Sequence, residues 1–165
     1  MLRAPLLVLT RTFDAPQRRV FEAWTRPDRL ARGWALPGFT VTALQNELWP
    51  GGTHRTTLRA PDGAETQIDG VYHDICPPSR LALTQRWSEN GELGPETLMT
   101  VDFAPRDGNR TFVRLELSGF ASETELALHR AGVSECLDRI ADYLAETAPS
   151  GPDRLRQCRN FCDRA

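Results

Sequence analysis

Residues 10–34 read TRTFDAPQRRVFEAWTRPDRLARGW, an extended run that becomes helix within a few residues. The run begins upstream, at Leu6 to Phe13 (LLVLTRTF), and stops at Asp14-Ala15-Pro16, as a strand does when it feeds a helix. Asp14 is placed to cap that helix, with Gln17 three residues on as in a capping box. Pro16 falls in the first turn, where a missing N–H has no partner to lose. Val20, Phe21 and Trp24 share one face of a helix running to about Thr25. Arg26-Pro27 then breaks it, and Asp28 opens a second short helix through Trp34. One strand and two short helices therefore come first.

Downstream, from Phe39 to about Leu117, the texture changes to short runs separated by Pro50-Gly51-Gly52, Asp62-Gly63, Pro77-Pro78, Asn90-Gly91 and Asp107-Gly108. This is a meander of about six strands. Met99, Val101 and Phe103 alternate on one run, and Val113, Leu115 and Leu117 on the next, with Arg114 and Glu116 turned the other way. One face of the sheet is apolar. Ser122, with Glu125 three residues later, opens a long helix to about Thr147 whose stripe is Leu126, Val133, Leu137, Ile140 and Leu144. The stripe and the apolar sheet face each leave water by covering the other, so the helix is expected across the concave side of the sheet.

The 165 residues suffice for one domain with a single sizeable core, expected over 1–148. Pro149-Ser150-Gly151-Pro152 reads as a linker into a tail over 149–165, which contains Cys158 and Cys162 at i and i+4. With Cys76 and Cys136 these make four cysteines without paired CxxC spacing, expected as reduced thiols. All twenty basic residues are arginine, the net charge is −2, and acids are interspersed along the chain. No basic patch marks a nucleic-acid surface. No apolar run approaches the roughly 20 residues of a membrane span, and Met1-Leu2-Arg3-Ala4-Pro5 shows no cleavage site, so the cytoplasm is the expected compartment.

The string ELWPGGTHRT, residues 47–56, raises the question of a phosphate cradle. Such a loop needs glycine N–H groups at a helix N-terminus, and this pair lies between two strands, where it reads as a turn. Centred on Pro50-Gly51, a two-residue hairpin sets Glu47 opposite His54; centred on Gly51-Gly52, it sets Trp49 opposite His54 with Glu47 diagonal. Either register puts Glu47 and His54 on one face, together with Phe39, Val41 and Leu58. A carboxylate that orients a histidine is the arrangement of a general base, and equally that of a self-satisfied polar pair.

Other candidates for a cavity wall come from the later strands and the long helix. If Leu81 and Leu83 face inward, so do Gln85 and Trp87, whereas on the preceding strand Val71 and Ile75 compete with Ile68 and Tyr72 for the apolar side. Met99, Val101, Phe103, Leu117, Val133 and Leu137 complete the expected lining, and Val20, Phe21, Trp24 and Trp34 are expected in the core or at the rim. Cys136 reads as a small core residue. His54, His73 and His129 lie in no ligand spacing, so neither a metal nor a cofactor is expected.

The element order resembles that of the helix-grip fold of the START and Bet v 1-like superfamily, an α+β architecture. The strings TRTFDAPQRRVFEAWTRPDRLARGW (10–34), NELWPGG (46–52), DGVYHDICPPSRLALTQRW (69–87) and GVSECLDRIADYL (132–144) resemble one bacterial family in it. That family is named after the C-terminal domain of the activator of the ninety-kilodalton heat-shock chaperone ATPase, and the likeness covers about residues 5 to 147. Where the family has an arginine before the glycine pair this chain has Trp49, where it favours an aromatic after the pair there is His54, and its Gly-Trp is here Gly132-Val133. The resemblance implies a cavity for a small apolar or aromatic ligand between sheet and long helix. It also implies two alternatives: a cyclase or aromatase-type enzyme using His54 and Glu47, and a chaperone partner by analogy. A homodimer is a further expectation.

Overall fold

The structure, a computed structural model, describes residues 5–34 and 37–149. Strand β1 (Leu6–Phe13) leads into helices α1 (Gln17–Thr25) and α2 (Pro27–Gly33). Strands β2 (Thr40–Asn46), β3 (Thr53–Arg59), β4 (Glu65–Cys76), β5 (Arg80–Glu89), β6 (Glu92–Arg106) and β7 (Arg110–Ser118) follow, and α3 (Glu123–Glu146) closes the domain. All seven strands form one antiparallel sheet in the order β1-β7-β6-β5-β4-β3-β2. This is the helix-grip architecture that the sequence predicts. The 150–165 segment, with Cys158 and Cys162, lies outside the described residues.

The helix starts show which local signals act. Ser122 Oγ accepts from the Glu125 N–H at 3.2 Å, and the Glu125 carboxylate reaches back to the Ala121 N–H at 2.8 Å, so α3 opens with a reciprocal cap. The expected cap of α1 is not formed. Pro16 is the N-cap residue, no side chain caps it, and Gln17 Nε2 donates instead to the Phe103 carbonyl at 2.8 Å. A long-range bond that ties α1 to β6 has won over the local one. Helix α2 begins at Pro27, one residue before Asp28, with proline at its first position. The C-terminus of α3 is held by Arg19, which donates to the carbonyls of Leu144 and Thr147 at 3.2 and 3.0 Å.

The core follows the pleat. Across the sheet, Leu7, Leu117, Met99, Leu83 and Tyr72 stand opposite one another on five successive paired strands, and all are buried. Leu9, Leu115, Val101, Leu81 and Ile75 form the parallel row beside them. Helix α3 lays Leu126, Val133, Leu137, Ile140 and Leu144 over these rows. Each such side chain removed from water contributes roughly 1.5–3 kcal/mol. The competition on β4 is resolved by a bulge. A register shift between Tyr72 and Asp74 inserts one residue, so Ile68, on the cavity wall, and Tyr72 face the concave side before it and Ile75 faces that side after it. Among the described residues no helix is long and apolar enough to cross a membrane.

Candidate functional site: a cavity between sheet and helix

The turn after β2 takes the first form that its residues allow. Gly51 has φ +90°, which glycine supplies without strain, and the Gly52 N–H closes on the Trp49 carbonyl at 2.8 Å with Pro50 between them. The turn does not make a two-residue hairpin. Its residues extend the β3–β4 ladder instead, with Gly51 N–H donating to the Tyr72 carbonyl at 2.7 Å and Tyr72 N–H to the Gly52 carbonyl at 2.9 Å. The β2–β3 register is therefore Asn46 opposite His54. Glu47 consequently leaves the histidine's face. It is fully exposed, and its carboxylate accepts from the Thr53 N–H at 3.0 Å and the Thr53 hydroxyl at 2.7 Å, bonds that hold its pKa below the usual carboxylate value. The expected Glu47–His54 pair is not formed.

His54 is buried instead beside Tyr72, with ring centroids 5.5 Å apart, and its Nε2 lies 2.9 Å from the Thr84 carbonyl two strands away. The reach is possible because the intervening strand has glycine at that point. A Cβ on Gly70 would fall on the Thr84 carbonyl oxygen and against His54 Nε2, closer than atoms approach. Around it the β4–β5 ladder is interrupted, and the Val71 N–H bonds to Thr84 Oγ1 at 3.2 Å. Tyr72 continues the polar strip: its hydroxyl donates to Asn46 Oδ1 at 2.6 Å, and Asn46 Nδ2 donates to the Thr25 carbonyl at the end of α1 at 2.5 Å. Burial pushes the Tyr72 hydroxyl up to about 12 and keeps it a neutral donor.

This strip borders a partly open cavity of about 300 Å³ bounded by the sheet, α2 and the first half of α3. Of the expected lining, His54, Tyr72, Leu83, Gln85, Trp87, Met99, Leu117 and Val133 form its wall. The others do not. Glu47 faces away, Phe39 and Val41 lie half-buried on the outer part of the sheet, and Leu58 is buried off the cavity. Val101, Phe103 and Leu137 are sealed in the core, where α1 fills the space, with Phe103 edge-on to Phe21 at 5.4 Å and Trp24 at 5.3 Å. Trp24, Trp34, Leu30, Leu44, Asn46, Ile68, Leu81, Leu128, His129 and Cys136 join the wall. Leu44 and Asn46 follow from the true β2–β3 register, and Leu128 and His129 from the turn of α3 that precedes Val133. Cys136 is buried, which pushes its thiol up to about 12 and keeps it an inert apolar side chain.

Burial of His54 lowers its pKa, against the opposing influence of the Thr84 carbonyl and Asp69. The unfolded chain then binds its proton first, near the ordinary value of about 6.5. Stability from this group is full above that pH and is lost as the pH falls toward the folded-state value. Wild-type protein should therefore lose stability between pH 7 and pH 5 at up to about 1.4 kcal/mol per pH unit, and His54→Gln, which retains a donor for Thr84, should lose less. Urea unfolding at each pH measures the difference. Equal slopes would mean that His54 is solvated or charged in the folded state.

Comparison with known proteins places this geometry. A protein from Chromobacterium violaceum is 23% identical, with a TM-score of 0.77 over 88% of this chain and 98% of its own. The AHSA1 protein from Silicibacter pomeroyi is 19% identical, with a TM-score of 0.78 over 86% and 99%. A protein from Arthrobacter aurescens is 25% identical, with a TM-score of 0.77 over 88% of each chain. No curated protein matches. The family described as "Activator of Hsp90 ATPase homolog 1-like protein" matches residues 14–145. From α1 to the last turn of α3, covering every element that walls the cavity, this chain belongs to that family.

Proposed function

We propose that the protein binds a small apolar or aromatic molecule in the cavity between the sheet and α3. The observation that carries this reading is the cavity itself. Small-molecule sites are typically concave and mostly apolar, with a few placed polar groups. A space of about 300 Å³, walled by tryptophan, leucine and methionine with a short polar strip, matches the lower end of small-molecule sites. A catalytic reading is favoured less, because the carboxylate expected to act with His54 stands on the other face of the sheet.

Native mass spectrometry of the protein as purified, followed by extraction of what co-purifies, tests the proposal. A bound apolar molecule is expected. Val133→Trp, which places an indole into the space that Val133 borders, should abolish retention while costing about 1–3 kcal/mol for overpacking. If the variant folds and retains the same molecule, the molecule lies elsewhere. An empty protein that also binds nothing from a broad apolar library would refute the cavity reading in favour of a protein partner.

A further inference from the structure

We propose that the cavity selects neutral aromatic or apolar molecules that carry a hydroxyl group, and that His54 Nδ1 receives the hydroxyl hydrogen. This rests on the binding reading above and adds the chemistry that the bound molecule must bring. The Thr84 carbonyl has only lone pairs to offer, so its 2.9 Å contact obliges Nε2 to carry the hydrogen of the neutral ring. Nδ1 is then a bare acceptor, and among the described residues it has no partner. Tyr72 is committed in the same sense: its hydrogen goes to Asn46 Oδ1, which leaves lone pairs on the phenol oxygen. Two neighbouring groups on this wall thus call for a donor. Gln85 follows Thr84 on β5 and also lines the wall, and its amide bonds to nothing among the described residues. It can donate to the oxygen of the same hydroxyl.

Charge narrows the class further. Among the described residues Glu89 is the one carboxylate on the wall and no arginine lines it, so an ionised acid would be desolvated with no permanent cation to pair with, only the imidazoles of His54 and His129. The indole nitrogens of Trp24, Trp34 and Trp87 are buried and have no partner among the described residues, and with no accessible surface they are not presented to a ligand.

Isothermal titration of the full chain at pH 7 with 2-naphthol, 2-methylnaphthalene and 2-naphthoate tests the inference. 2-Naphthol should bind about ten-fold more tightly than 2-methylnaphthalene, the worth of one net hydrogen bond, and 2-naphthoate should bind most weakly. In His54→Phe the ratio of the first two should fall toward one. Retained binding of 2-methylnaphthalene by His54→Phe is the control that the variant is folded and its cavity intact. Equal binding of 2-naphthol and 2-methylnaphthalene overturns the hydroxyl inference and leaves the cavity as a general apolar site. Tightest binding by 2-naphthoate overturns the charge argument. If none of the three binds, the binding reading falls, and this inference with it.

Discussion

Gly70→Ala should destabilise the protein by at least about 3 kcal/mol, beyond the usual range for a surface strand substitution. The new methyl would meet the Thr84 carbonyl oxygen and His54 Nε2 simultaneously. The first of these is backbone, fixed by β5 pairing on both sides of the interruption: Asp69 opposite Arg86 and Tyr72 opposite Leu83. Neither strand can move without losing ladder bonds. For a domain of this length the loss corresponds to a Tm lower by about 6–12 °C in a thermal scan. The double substitution Gly70→Ala with His54→Ala distinguishes the two contacts. It frees the histidine side but leaves the carbonyl clash, so it should not recover the wild-type Tm. Full recovery would mean that the histidine ring alone requires the glycine, and a wild-type Tm in the single variant would mean that β4 and β5 pair regularly there.

That site also separates what is legible in the sequence from what is not. The fold follows from signals that act over a few residues: the Ser122–Glu125 cap, Pro27 at a helix start, and alternation on β6 and β7. Each is a local energy that the tertiary structure leaves in place. The cavity wall depends on register, and a one-residue slip reverses every side chain. Pro50-Gly51 specifies a tight turn correctly, but the partner of that turn is Tyr72 on β4, some twenty residues away, and this places Asn46 rather than Glu47 beside His54. No pattern between Leu44 and Thr56 encodes that choice. The β4 bulge is similar: Ile68, Tyr72 and Ile75 read as a contradiction in a regular strand and as a single face once a residue is inserted. The contradiction itself was the signal, since three large apolar side chains that fit neither parity imply a break.

The start of α1 departs from its local signal for the same reason in reverse. Asp14 and Gln17 have the spacing of a capping box, yet Gln17 is worth more when it satisfies the Phe103 carbonyl at the edge of the core. A buried carbonyl without a partner costs about 1–3 kcal/mol, whereas an uncapped helix start remains in contact with water.

Trp24 should separate packing from polarity more sharply than any other wall residue. Its ring sits edge-on to Phe13 at 5.7 Å, Trp34 at 5.9 Å and Phe103 at 5.3 Å, so it joins β1, α1, α2 and β6 in one aromatic cluster. Trp24→Ala removes all of these contacts and opens the cluster toward the existing cavity, at an expected cost of about 3–5 kcal/mol. Trp24→Phe should cost far less, for two reasons that act together. Phenylalanine keeps an edge and a face for its neighbours, and it removes the indole N–H, which is buried without a partner and so carries a desolvation penalty of about 1–3 kcal/mol. The lost ring area and the relieved donor oppose each other, and the net change should lie within about 1.5 kcal/mol of wild type. Chemical denaturation of the two variants measures both. If Trp24→Phe is as damaging as Trp24→Ala, the N–H is satisfied by a neighbouring ring face or a trapped water, and the cluster is polar at its centre. If Trp24→Phe instead clearly exceeds wild-type stability, the relieved donor outweighs the lost ring area, and the unpaired indole is a strain that the aromatic cluster retains.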